Sequence, residues 1–170
     1  MSTKGLLVII SCGSQKIWDK LHNFGPCPAW DVYTGAPFTV NRRFAEKCAD
    51  KYMILSAKFG YIEPDFVIPE NYNVTFKDPS TKPVTTEVLI RQIKEKKLCR
   101  YPTVIGLGGK EYRALIHDSF AVTGKKVLFP FAGKGRIGEI MSQIKIATSN
   151  CPSFIDSLIP AKPDGEQECG

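Results

Sequence analysis

The chain has 170 residues, 43% of them hydrophobic and 24% charged, which fits one soluble globular domain with a core of its own. Its formal net charge is +6 and its pI is near 9.0, a balance that suits a polyanionic partner and equally a mildly basic enzyme of small molecules. No apolar run reaches the length of a membrane span, and only Lys4 precedes the first apolar stretch with no small-residue cleavage site after it, so a membrane partner and a secretory signal are not expected and a cytoplasmic location is.

The first predicted strand is Leu6–Ser11, a continuous apolar run. It opens into Ser11-Cys12-Gly13-Ser14-Gln15-Lys16, where backbone N–H groups, hydroxyls and one cation form a nest suited to a phosphate or carboxylate. The spacing is not that of a phosphate-binding P-loop, and a polar turn without a ligand is the equal alternative. A long loop over 12–39 follows, containing Asp31-Val32-Tyr33-Thr34-Gly35, an acid, a phenol and a hydroxyl beside a glycine. The pattern then predicts a helix over 41–50, with Phe44, Ala45 and Cys48 on one face.

The second strand is predicted over 52–57. It runs into Ser56-Ala57-Lys58-Phe59-Gly60-Tyr61 and a long irregular segment through Asp65 to Tyr72, extending to residue 84. Aromatics here suit stacking on a base and Lys58 suits a phosphate, whereas Phe59 and Phe66 are expected to fill a small loop core. A helix over 85–98 comes next, capped by Thr85 or Thr86, with a solvated lysine run near its end. Thr103–Leu107 is the third strand, followed by a glycine turn at Gly106-Leu107-Gly108-Gly109-Lys110 and a helix over 110–120. A fourth strand over 126–131 leads to Gly133-Lys134-Gly135-Arg136-Ile137-Gly138 and a helix over 137–147. That turn matches a G-x-G-x-x-G pattern, but at the last strand and with no ribose-binding acid after it; it reads as a phosphate or nucleic-acid backbone contact.

Short apolar strands without alternation, separated by helices, predict an α/β domain of three layers. A mostly parallel central sheet of about four or more strands would carry helices on both faces, with the strand-to-helix loops along one edge. Residues 1–150 form this single domain; 151–170 form a tail, with a short docked helix over 154–159 and a frayed end over 160–170.

The six cysteines, Cys12, Cys27, Cys48, Cys99, Cys151 and Cys169, form no C-x-x-C pair, so no metal site is expected and free thiols are. Cys48 and Cys99 read as small buried hydrophobes. His22 and His117 pair with no recognisable nucleophile, which leaves Ser-His-Asp catalysis without support.

In combination, Ser-Cys-Gly-x-x-Lys, Asp-Val-Tyr-x-Gly, Ile-Leu-Ser-Ala-Lys-x-Gly and the late glycine turn resemble a family of small bacterial, archaeal and phage proteins grouped as a domain of unknown function. The central blocks, 31–35 and 54–72, are also similar to the YaaA family of peroxide-stress proteins, with Phe59 in place of a tyrosine and Asn71 in place of a proline. The YaaA resemblance implies DNA binding in a basic cleft, and a more distant similarity to base-excising glycosylases implies chemistry on a nucleobase. No helix-hairpin-helix segment is evident.

The expected function is therefore a nucleic-acid- or nucleotide-processing protein that cleaves or exchanges an N-glycosidic bond, with DNA the favoured partner and no cofactor. Asp31, Tyr33 and Ser56 are the expected catalytic residues. Ser11, Cys12, Gly13, Lys16, Thr34, Gly35, Lys58, Gly60, Tyr61, Asp65, Tyr72, Gly133, Gly135 and Arg136 are expected to bind substrate. A non-catalytic DNA-binding protein of stress response or defence, and an enzyme of small nucleotides, are the alternatives.

Overall fold

The computed structural model describes residues 5–159. In chain order the elements are β1 (Leu6–Ser11), β2 (Cys27–Pro28), α1 (Ala29–Val32), α2 (Ala36–Cys48), β3 (Lys51–Ser56), β4 (Gly60–Ile62) and β5 (Val67–Ile68). They continue with α3 (Thr86–Glu95), β6 (Thr103–Leu107), α4 (Lys110–Ala121), β7 (Val127–Leu128), α5 (Ile137–Ser149) and α6 (Cys151–Leu158).

All six residues of β1 are buried, because β1 is the middle strand of a sheet covered on both faces. The sheet order is β4-β3-β1-β6-β7. β1 is parallel to β3 and β6, β6 is parallel to β7, and only the edge strand β4 is antiparallel. Alternate residues of β1 serve different layers. Leu6, Val8 and Ile10 join the core beneath α2, α5 and α6, whereas Leu7 and Ile9 join the core beneath α3 and α4. This is the three-layer, mostly parallel α/β fold expected from the sequence.

The elements depart from the predicted ones where local chemistry overrides the apolar pattern. α2 begins at Ala36, inside a segment that reads as loop, because Pro37 lies in its first turn, where a missing N–H costs nothing. β4 lies inside the segment expected to be irregular. Gly60 takes φ +75° at the turn from β3, a backbone conformation that favours glycine, and an added Cβ would meet the Gln92 side chain. The fourth strand shrinks to Val127–Leu128, since Pro130 has no N–H to give the sheet. α3 stops at Glu95, two residues before Lys97 turns left-handed at φ 54°.

The tail helix docks where the apolar residues of 154–159 suggest. Phe154 stacks on Phe131 at 5.3 Å between ring centroids and meets Phe44 edge-on at 5.9 Å. Cys151, buried at the start of α6, is disulfide-bonded to Cys48 of α2, which corrects the expectation that both are free thiols. The two are far apart in sequence and share only an apolar surrounding, so their spacing carries no signal. Cys12 and Cys27 are thiols. The frayed end expected over 160–170 lies outside the described residues.

Candidate functional site

Moving outward from β1, the chain crosses to β3 on one side and later to β6 on the other. Between β1 and β6 the direction of winding reverses, and in open α/β sheets ligands bind in the crevice outside the strand ends at such a point. Here the two strand ends are tied together. Ser11 Oγ donates to the carbonyl of Leu107 at 2.9 Å, and Gly108, at φ +149°, passes so close over the Ser11 hydroxyl that a Cβ would overlap it.

A cleft of about 380 Å³ opens there. Its floor is the turn Ser11–Ser14 and the turn Leu107–Gly109. One wall is apolar: Phe38 of α2, Phe131, and Ile140, Met141 and Ile144 of α5. The opposite wall is Tyr72 to Thr75 with Tyr112 of α4. Lys16, Lys77 and Arg113 bring positive charge to it, and Glu111, in the first turn of α4, is the carboxylate among the lining residues.

The polar groups behind this surface form one connected set. Tyr72 Oη lies 2.5 Å from Tyr33 Oη and 3.1 Å from Ser56 Oγ. Ser56 Oγ also accepts from the N–H groups of Lys58 and Phe59, each at 3.2 Å, so its single proton is left to donate to Tyr72. The ammonium of Lys16 sits over the Tyr72 ring at 4.6 Å from the centroid, and that of Lys58 at 5.4 Å. Cys12 Sγ lies 3.2 Å from Tyr112 Oη. Burial is the main reason that Cys12, Tyr33, Tyr72 and Tyr112 all hold their protons well above the usual range; neighbouring groups that would also become anions add to it for the phenols. At neutral pH the site therefore presents phenols and a thiol as donors, not phenolates.

The same burial predicts alkaline behaviour. Tyr61 is pushed up by burial, and Tyr52 is pushed up to about 12 by burial and by Glu46 beside it. In the unfolded chain tyrosines lose their protons near pH ~10. The folded state then binds more protons than the unfolded one, so stability falls as pH rises above about 10. The phenolate absorbance of Tyr33, Tyr52, Tyr61, Tyr72 and Tyr112, most of the total, should be absent at that pH and appear together with loss of helical circular dichroism. A gradual rise centred near pH ~10, with the fold intact, would contradict this.

The structure brings some of the expected residues together and separates others. Ser11, Cys12, Gly13, Lys16 and Tyr72 line the cleft. Tyr33 and Ser56 stand behind Tyr72, at 3% and 0% exposure, so neither reaches a ligand directly and Ser56 has no free lone pair with which to attack one. Lys58 is exposed and does not line the cleft, its ammonium lying 5.4 Å from the Tyr72 ring centroid and 5.3 Å from that of Phe59. Gly35 caps α2 and Thr34 N donates to the Gln15 carbonyl at 3.0 Å; they brace the loop rather than line the cleft.

Asp31 lies elsewhere. Its carboxylate is exposed, 3.6 Å from Arg42 and 3.0 Å from the Trp30 indole nitrogen. Asp65 is in the same region, on a shallow groove with Trp30, Arg42, Glu46 and Glu63. The four-residue helix α1 turns Asp31 outward while its neighbours Val32 and Tyr33 turn in. Tyr61 is also not at the cleft: it is buried under α3 and α4, its hydroxyl 2.7 Å from Ser119 Oγ. Gly60 serves the turn described above.

The glycine turn at 133–136 is likewise set apart. The Arg136 N–H donates to Glu139 at 2.6 Å, so the protein's own carboxylate takes a place expected for a ligand anion. Gly133, Gly135 and Arg136 are exposed and do not line the cleft, whereas Phe131 and Ala132 before the turn and Ile137 after it do.

Glu111, Tyr112, Arg113 and Lys77 are the charged and phenolic cleft residues that sequence reasoning missed, beside the apolar wall and Asn41. The signal for the first three was present in the weaker turn 106–110: a strand, a glycine pair, then a helix start, the same arrangement as at β1. Lys77 carried none, since it reaches the cleft only through the path of the 73–77 segment. Among the described residues, no group of three or more His, Cys, Asp or Glu side chains is placed to hold a metal ion, and no helix is long and apolar enough to cross a membrane.

Residues 7–146 match the profile of a family described as "Family of unknown function (DUF6884)". The chain belongs to this family. The match runs from β1 into α5 and so includes both strand ends that floor the cleft and the α5 residues of its apolar wall. The chain is also similar to "Uncharacterized protein YfjM" of Bacillus subtilis (strain 168), at 34% identity over 143 residues, covering 83% of this chain and 93% of that protein. No solved structure gives a significant match.

Proposed function

We propose that this family member takes one nucleotide unit into the cleft between β1 and β6 and cleaves or exchanges its N-glycosidic bond. The observation that carries the reading is the composition of that one cavity: an apolar wall on one side, protonated phenols on the other, a cationic rim and one carboxylate. A base fits the apolar wall of α5, a phosphate fits the lysines, and 380 Å³ is at the small end of ligand pockets, which span about 300–1,000 Å³. The net charge of +6 and the motif resemblance to YaaA-like DNA-binding proteins point the same way.

In this reading Asp31 has no catalytic part, because it does not reach the cleft; Glu111 takes the role expected of it. As the C–N bond breaks, the sugar develops positive charge, which the Glu111 carboxylate stabilises. Glu111 then takes a proton from the water whose oxygen bonds to the anomeric carbon. The departing base needs a proton or a hydrogen bond. Ser56 donates to Tyr72; if Tyr33 does the same, the Tyr72 proton is left for the base. Tyr112 is the second donor. In exchange, an incoming base replaces water. A cytoplasmic setting belongs to this reading, although the Cys48–Cys151 disulfide does not argue for it, since such bonds are rare there.

The test is to incubate the pure protein with single- and double-stranded DNA, modified-base DNA and free nucleotides, and to analyse the products by mass spectrometry. Release of a free base is the expected result and names the substrate. Binding without release across the whole panel would overturn the catalytic reading.

A further inference from the structure

Lys16 differs from the other cations of the cleft. Its stem is covered, the whole residue being 9% exposed, and no carboxylate among the described residues lies within ion-pair distance of its ammonium. Instead the ammonium rests on the face of the Tyr72 ring. Its backbone is fixed: the N–H donates to Asp19 at 2.8 Å, and the residue bridges to Tyr33. The ammonium reaches the open space of the cleft, where a ligand anion can meet it.

The surroundings of Lys16 say which anion. Behind Tyr72 the space is closed by Tyr33 and Ser56, both buried and hydrogen-bonded to one another through Tyr72. Below, the Ser11 hydroxyl is engaged with the Leu107 carbonyl. A polynucleotide backbone entering at Lys16 has no exit on that side, whereas a group that ends there fits. A phosphomonoester also carries more charge than a diester, about −1.5 to −2 at neutral pH, and so is held more strongly by one ammonium.

We propose that the inner end of the cleft is a phosphomonoester subsite in which Lys16 holds the terminal phosphate of a mononucleotide, so that the ligand is a free nucleotide and not a residue within a strand. The inference rests on the nucleotide reading above and narrows it. The Gly13–Ser14 turn lies beside the phosphate, and the base lies toward Ile140 and Met141.

Isothermal titration of the full chain at fixed ionic strength tests this. The probes are the common nucleoside 5′- and 3′-monophosphates, the matching nucleosides, inorganic phosphate, and a short oligonucleotide blocked at both ends so that it has no terminal phosphate. At least one monophosphate is expected to bind at least tenfold more tightly than its nucleoside, with inorganic phosphate competing. Lys16→Met should abolish that preference, and Lys16→Gln, the second variant, should lose it too. Equal affinity for nucleoside and monophosphate, no binding by any monophosphate, a preference kept in both variants, or tightest binding by the blocked oligonucleotide would each overturn the subsite. Base release measured in the same samples separates this from the reaction. A phosphate preference without released base keeps the subsite and removes the glycosidic reading, and release from nucleosides with no phosphate preference does the reverse.

Discussion

Replacing Glu111 with glutamine is expected to slow base release by about 10²- to 10⁴-fold, the range lost when a general acid or base is removed. Ligand affinity and melting temperature should change little, because Glu111 is exposed at the start of α4 and no core packing depends on it. The same substitution at Asp31, to asparagine, should leave the rate near that of the unmodified protein, since Asp31 pairs with Arg42 outside the cleft. The comparison is direct: single-turnover rates of the two variants on the substrate identified by base release. A large loss at Asp31 with none at Glu111 would restore the role that the Asp-Val-Tyr-x-Gly motif suggests and leave Glu111 without a part in the reaction.

The second large effect is structural and sits at the same place. Gly108→Ala forces a Cβ into the Ser11 side chain at a backbone angle that favours glycine, φ +149°. Strain and overpacking together should cost about 2–4 kcal/mol. For a chain of this size that lowers the melting temperature by roughly 5–15 °C. Thermal unfolding followed by circular dichroism reads this directly. Adding Ser11→Ala should recover part of the loss and no more, because the nearest overlapping atom is Ser11 Oγ but Ser11 Cβ remains close at 2.7 Å. A single variant as stable as the original protein would mean that β1 and β6 are not tied end to end.

Much of this molecule is legible in its residues. β1 and β6 can be read to the residue, because unbroken runs such as Leu-Leu-Val-Ile-Ile suit only a strand buried on both faces. α3 is marked by Thr85, whose hydroxyl accepts from the Val88 N–H, and by the spacing of Leu89 and Ile93. The turn after β1 is equally readable as a ligand-facing element: serine, cysteine, glycine and lysine in that order are poor core material at the end of a core strand.

The misplaced residues have a common cause. Asp31 and Tyr33 are two residues apart and read as one site, yet one faces solvent and the other is buried. Which way each points is set by the short helix α1 and by Arg42, which holds Asp31 and donates to the Trp30 carbonyl at 2.8 Å from twelve residues away. Tyr61 and Tyr72 are both tyrosines of one loop; pairing of β4 with β3 sends the first under α3, and the path back across the strand ends brings the second over Lys16. Gly133–Gly138 carries the best-formed motif of the chain, but Glu139 fills its donor position.

The sequence by itself determined the layers, the parallel sheet and the edge at which polar turns would gather, because apolar periodicity and glycine placement are local properties that act through burial and backbone sterics. Tertiary structure alone decided which of those turns share a cavity, that Cys48 and Cys151 meet, and that the Lys16 ammonium rests on the Tyr72 ring at the cleft. Each of these depends on groups far apart in the chain, and on the order in which strands assemble about β1, which no short stretch of residues encodes.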